Sequence, residues 1–460
     1  MNANAYAPCK AMLFLTLAAI CAITTAAANR GDAVLADDRP PGRKLLADDG
    51  SWGYNGPHAV MSHGKLFCTY IDTEGMVWAA SYDPQSGEIV RSPVWDTYAD
   101  LHQASSLFVR PDGRIQVFVN KDGVYSDDEI FWKVSAKPGD IAEFGPLQQS
   151  KPSGIAQGRQ FYPLVHESTG NVYLILNAAV DGNRRIGMWK STDGGDTFDR
   201  YYLLYNLADD LRGNRSYTRA YIEGDSIHLV AVRVGWNEPV GEHNIGRIEG
   251  VYYTRYDIND EAFYHADGRR AFAREDGPVD DTRYFDELWN WEKDGHKQHR
   301  ALWADIVAKD GRPYVAFVTQ EAVPRGESAL HDGYWASPNE KGQWQAHKVA
   351  TLARGWDNKP ERVNYAIAID PQSPTTVFVS KSTDEGRDLS QVHRMATADG
   401  GATWVSQRVL STEGRTSTVV VPYVMDKTPR TIDVLWLEGP MEGWRSYATK
   451  VMMARTEGAP

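Results

Sequence analysis

Tyr217 and Arg233 flank the turn Glu223-Gly224-Asp225-Ser226. Strand pairing centred on Asp225 sets the two residues opposite each other, each eight positions from the centre, with Cβ atoms about 4.5–5.5 Å apart. A guanidinium binds a carboxylate bidentately, and a phenolic oxygen beside it can move a proton. The same pair also reads as a plain cross-strand stack of Tyr on Arg. A second hairpin turns at Pro111-Asp112-Gly113-Arg114 and sets His102, in Asp100-Leu101-His102-Gln103, near Asp122 or Gly123. Further polar residues stand at the starts of apolar runs: His58, Arg159, His299, Arg300 and Asn364. A single histidine of this kind is more often structural than catalytic, so the set gains meaning only if the fold brings it together.

The elements that position these residues recur. A short apolar strand meets a Gly/Asp turn, and a second apolar strand follows. Seven such pairs begin near 58, 105, 161, 217, 302, 365 and 418. Blades of four strands need about 40–50 residues each, with insertions carried in loops. The pattern predicts an all-β fold, a seven-bladed β-propeller over 51–455, with an insertion between about 258 and 298. The first strand of each blade lines the axis, so the polar residues at those starts converge. Two turns, Ser191-Thr192-Asp193-Gly194-Gly195-Asp196-Thr197-Phe198 and Thr397-Ala398-Asp399-Gly400-Gly401-Ala402-Thr403-Trp404, are near copies. In each, Asp accepts backbone hydrogen bonds, the Gly pair supplies positive φ, and the aromatic anchors the turn.

Composition narrows the functional classes. The chain has 460 residues, 15 Trp, 23 Tyr and a formal net charge of −12. Such an acid excess argues against nucleic-acid binding. A polyanionic substrate then needs a locally basic cleft. Lys10, the apolar run Ala11 to Ile23 and Ala26-Ala27-Ala28 read as a signal peptide over 1–28, so a secreted or periplasmic protein is expected. The run is too short for a membrane anchor. Residues 29–50 read as a polar leader strand or linker. After cleavage Cys68 is the only cysteine, which rules out an intrachain disulfide. No phosphate loop or nucleophile elbow stands out. His296 and His299 do not make a metal site by themselves. No cofactor is required, though the sequence leaves room for a structural Zn²⁺ or Ca²⁺.

The two Asp boxes, the Tyr217-x₁₅-Arg233 spacing and His102-x₈-Pro-Asp-Gly-Arg together resemble the BNR-repeat propellers, among them ulvan lyases and related polysaccharide lyases. Asp49-Gly50-Ser51-Trp52, Gly64-Lys65-Leu66-Phe67, Asp310-Gly311-Arg312-Pro313-Tyr314 and Ala368-Ile369-Asp370-Pro371 match too, so the likeness runs from about 48 to 452. The resemblance implies β-elimination at a uronate of an anionic polysaccharide, and a monomer is expected. Arg233 would neutralise the carboxylate, while His102 and Tyr217 divide the base and acid roles. Lys121, Arg159, His299 and Arg300 would bind substrate. One departure is visible: where such lyases usually carry a second His across the blade-two hairpin, this chain has Asn120-Lys121-Asp122-Gly123. That leaves the glycan open, including one with a rhamnose–glucuronate linkage. The competing readings are a propeller glycoside hydrolase, rhamnosidase-like, and a non-catalytic glycan-binding propeller. A sialidase fits poorly, because no early Arg-Ile-Pro motif is present.

Overall fold

Alternating apolar strands punctuated by Gly and Asp turns fold into seven blade sheets arranged as a β-propeller, with one further two-stranded sheet at Met441–Gly443 and Ser446–Tyr447. The computed structural model describes residues 42–53, 56–103, 105–120, 130–150, 156–180, 183–198, 200–205, 214–235, 248–273, 282–290, 299–321, 330–352, 366–383, 389–425, 430–443 and 445–455. Among these, the only helical pieces are single 3₁₀ turns at Leu101–Gln103 and Thr282–Tyr284. The proposed signal segment and Lys121, Asp122, Gly123, His296 and Asn364 lie outside the described residues.

The innermost strands are Ala59–Ser62, Ser106–Val109, Ala156–Val165, Asn214–Glu223, His299–Lys309, Ile367–Ile369 and Thr416–Val420. Each falls on one of the seven starts read from the sequence. Blades one to six add their strands outwards from these. Because every blade is built in that same order, the N-terminal ends of the innermost strands open on one face. The insertion after blade four is partly absorbed into it: Ala262–Tyr264, Arg270–Ala273 and Asp286–Trp289 all join its sheet.

Blade seven differs. Its outermost strand is Arg43–Ala47, which pairs antiparallel with Lys450–Arg455. The propeller therefore starts at 43, inside the segment read from sequence as a leader. Arg43 also reaches Glu438 in the same blade through Nη2 at 2.5 Å. Next to this blade, Tyr423–Val424 pairs in parallel with Val60–Met61 of blade one.

The two Asp-Gly-Gly turns join the third and fourth strands of blades three and six. In the first, Asp193 Oδ1 accepts the N–H groups of Asp196 and Thr197 at 3.0 Å and its Oδ2 accepts Thr197 Oγ1 at 2.6 Å. In the second, Asp399 accepts Thr403 N–H at 2.9 Å and Thr403 Oγ1 at 2.6 Å. Burial pushes Asp193 up, but the hydrogen bonds from Ser191 and Thr197 outweigh it and hold the carboxyl at about 2. Asp399 is held at about 2 by Thr403 and Thr397.

Each turn also docks on the preceding blade. Gly195, at φ 101°, lies so close to blade two that a Cβ there would stand 2.9 Å from Phe108 Cζ. Gly401, at φ 100°, faces Trp335 of blade five in the same way, at 2.9 Å. Phe198 is fully buried, with its ring 5.6 Å from Trp132 and 5.7 Å from Phe118. An aromatic side chain buries about 150–250 Å², which at about 25 cal/mol per Å² gives about 4–6 kcal/mol of gross stabilisation. Cys68 is buried in blade one, and burial raises its thiol to about 12.

Candidate active site

Blade two presents its histidine just before the innermost strand begins. Sheet pairing starts at Ser106↔Phe118, and His102 sits four residues earlier in the 3₁₀ turn Leu101–Gln103. The contact that crosses the hairpin at this level is Asn120 Nδ2 donating to His102 O at 2.8 Å. Asp100 opens the turn. Its carbonyl accepts Gln103 N–H at 2.8 Å, and its Oδ1 accepts His102 N–H at 2.9 Å. The same oxygen lies 2.6 Å from His102 Nδ1. Asp100 Oδ2 accepts Arg445 Nε at 2.7 Å. Burial pushes Asp100 up, yet the hydrogen bonds from His102 and Arg445 hold it below the usual carboxylate range. An ionised carboxylate only accepts, so His102 Nδ1 carries the proton of this bond. In the neutral ring Nε2 is then the basic nitrogen. The side chain of Asp100 is 2% exposed and that of His102 is 25% exposed.

Blade four places Tyr217 near the entry of its innermost strand. The hairpin register is Tyr217↔Val232 and Ser216↔Arg233, one residue away from the predicted pairing. The turn closes with Glu223↔Ser226, so the symmetry centre falls between Gly224 and Asp225 rather than on Asp225. Two-residue hairpin turns have this property. Tyr217 is buried and its ring lies 4.7 Å from Trp303 of blade five. The side chains of Arg159, Arg233, His299 and Arg300 lie outside the described residues. Their backbone positions are set by Arg159↔Asn177, Ser216↔Arg233, His299↔Glu321 and Arg300↔Gln320. His102, Arg159, Tyr217, His299 and Arg300 thus stand at the same end of innermost strands in blades two to five.

Along the axis lies a polar cluster that the sequence reading missed. A cavity of about 740 Å³, counting its solvent-open mouth, is lined by Arg219, Asp305, Tyr162, Tyr221 and Tyr423 within an apolar wall. Trp303, the partner of Tyr217, lines it too. Strand alternation puts Tyr217, Arg219 and Tyr221 on one face. The Arg219 guanidinium lies 5.2 Å from the centre of the Tyr162 ring. Burial raises Asp305, against the pull of the Ile369 N–H at 2.9 Å and of Arg219. His58 also borders this cavity, but it is fully buried and held at about 3, first by burial and then by Arg219. Its ring nitrogens face Ser105 O at 3.2 Å and Gly53 O at 3.3 Å, and it stacks on Trp52. Burial thus keeps His58 neutral.

Part of this cluster has a sequence signal, since Arg219 and Tyr221 continue the two-residue spacing from Tyr217. Arg445 has none, because it reaches Asp100 from a hairpin of the last blade. Among the described residues no group of three His, Cys, Asp or Glu side chains is placed to hold a metal ion. Likewise, no helix of the described chain is long and apolar enough to cross a membrane.

Comparison with known proteins agrees with the fold. A family model described as BNR repeat-containing family member matches residues 65–352. No curated protein matches the chain by sequence. Among solved structures, a PL25 ulvan lyase bound to -[GlcA(1-4)Rha3S]- superposes with a TM-score of 0.67 at 14% identity, over 89% of this chain and 95% of that one. The polysaccharide lyase Uly1 gives a TM-score of 0.59 at 10% identity, over 90% of this chain and 97% of that one. At these identities the likeness speaks for the fold.

Proposed function

The chain belongs to the BNR repeat-containing family, and from that premise we propose that it is a polysaccharide lyase acting by β-elimination on a uronate-containing glycan of the rhamnose–glucuronate type. The observation that carries this reading is His102, held on a buried carboxylate at the mouth of the propeller, with Tyr217 at the same end of blade four. One further fact supports it: the similar lyase binds a glucuronate–rhamnose chain.

In the proposed reaction the C5–H and C4–O4 bonds of the uronate break and a C4=C5 double bond forms. The C5 proton passes to a base, and the departing O4 takes a proton from an acid. His102 suits the base, because the Asp100 bond leaves Nε2 as its basic nitrogen. Tyr217 then serves as the acid. Arg233 neutralises the uronate carboxylate as charge builds. We assign substrate binding to Arg159, His299, Arg300 and Lys121. We place the enzyme outside the cytoplasm on the strength of its leader sequence.

Incubating the protein with ulvan and a panel of other uronate polysaccharides tests this. The expected result is a rise in ultraviolet absorbance from unsaturated uronate ends. New reducing ends without that absorbance would make the protein a hydrolase instead. Glycan binding with no product would make it a binding propeller.

A further inference from the structure

Asp100 does more than cap a turn. A cap at this position needs only the His102 backbone N–H donating to Asp100 Oδ1, and Asn or Ser offers an equivalent acceptor. The structure adds two contacts that capping does not require. His102 Nδ1 lies 2.6 Å from the same oxygen, and Arg445 Nε donates to the other oxygen at 2.7 Å. Arg445 arrives from the blade-seven hairpin Met441–Gly443/Ser446–Tyr447, and its guanidinium stacks 5.6 Å from the centre of the Tyr98 ring. Tyr98 OH in turn accepts Gln103 Nε2 at 3.1 Å. The hairpin is itself pinned to blade one by Tyr447 OH donating to Asp72 O at 2.7 Å. Both carboxylate oxygens are thus committed to donors, in a site where the carboxylate is almost wholly shielded from water.

We propose that Asp100 is a positioning residue, which fixes the Nδ1–H tautomer and ring orientation of His102, and that Arg445 braces it from the last blade. The assignment rests on the reading of His102 as the proton acceptor. With Asn at 100, one side of the side chain becomes an N–H donor. If its oxygen stays on His102, the amide faces the Arg445 donor. If it flips, the amide faces Nδ1 and drives the ring to the Nε2–H tautomer, which has no lone pair at the reacting nitrogen. Such tautomer reversal is costly in His-dependent enzymes.

The test uses the ¹⁵N chemical shifts of the His102 ring together with steady-state kinetics on a uronate polysaccharide. The native neutral ring should show a protonated Nδ1 and an unprotonated Nε2. Finding the opposite tautomer in the native protein overturns the proposal without any variant. Asp100→Asn should change the tautomer balance and lower kcat about 10²-fold or more, with KM within about twofold. Arg445→Gln should keep the tautomer and lose only a few-fold in kcat, since it is exposed and acts through Asp100. An active lyase whose kcat and ring shifts are untouched by Asp100→Asn refutes the positioning role and leaves the lyase reading intact. The expected ring shifts in a protein that turns over no uronate glycan support the positioning role and refute the lyase reading.

Discussion

Asp193 and Asp100 use one device for two ends. Each carboxylate gathers backbone and side-chain donors, and each is held below its ordinary range. In the blade-three turn every donor to Asp193 lies within four residues, so the network closes on itself. Asp100 takes two donors from His102, two residues away, and another from Arg445, 345 residues along the chain. The first arrangement builds a shape that any copy of the sequence would repeat, as Asp399 does in blade six. The second couples a histidine at the propeller mouth to the last blade. The first network is local to one turn, and the second spans the chain.

The sharpest way to break this division is to strike the site and look for turnover that survives. Tyr217→Phe removes one oxygen and keeps the ring packed on Trp303. Turnover should fall about 10²–10⁴-fold, the usual worth of a general acid, while glycan affinity by calorimetry stays the same. A protein with unchanged turnover would place Tyr217 on the scaffold side.

The converse strikes the scaffold. Gly401→Ala forces a side chain into a left-handed backbone position and against the Trp335 ring. It should cost about 1–3 kcal/mol and lower the melting temperature by several degrees, with kcat intact. Gly400→Ala, at φ 71° but with open space around its Cβ, is the milder control.

Acid should weaken the core before it weakens the turns. His58 and His228 are each held at about 3 by burial first, so both stay neutral in the fold. Unfolded histidine titrates near 6.5. The unfolded chain therefore binds more protons between about 6.5 and 3, and stability should drop as pH falls through that window. His228→Asn should flatten the dependence seen in thermal melts.

The smallest effect is expected at Asp193. Its carboxyl is lowered to about 2, so its contribution is complete above the unfolded value near 3.8 and is lost as pH falls towards 2. Asp193→Asn should lower the melting temperature by about 1–3 °C at pH 7. The gap to the native protein should close by pH 2, with activity unaffected throughout.

These contrasts also explain what could be read in the sequence. The seven hairpins and both Asp-Gly-Gly turns were legible because their determinants lie within a dozen residues. The register at Tyr217 was misread by one position, because the turn type decides whether symmetry centres on a residue or on a bond. The strand Arg43–Ala47 passed for a leader because an outer strand is only half buried and its partner stands at the far end of the chain. Asp100 stood in plain view beside His102, but nothing local announced Arg445. Arg219 and Asp305 come from different blades, and only closing the ring sets them around one cavity.

Pairing Arg43–Ala47 with Lys450–Arg455 gives the ring a seam. Six blades and three strands of the seventh can form from neighbouring sequence, but the outermost strand of blade seven waits for contact between distant segments, a high contact-order step that slows completion. Until then Lys450–Arg455 is a raw strand edge, open to pairing with other chains. Trimming back past Ala47 should return it to that state, whereas moving the termini to another inter-blade loop would make the seam an ordinary covalent hairpin.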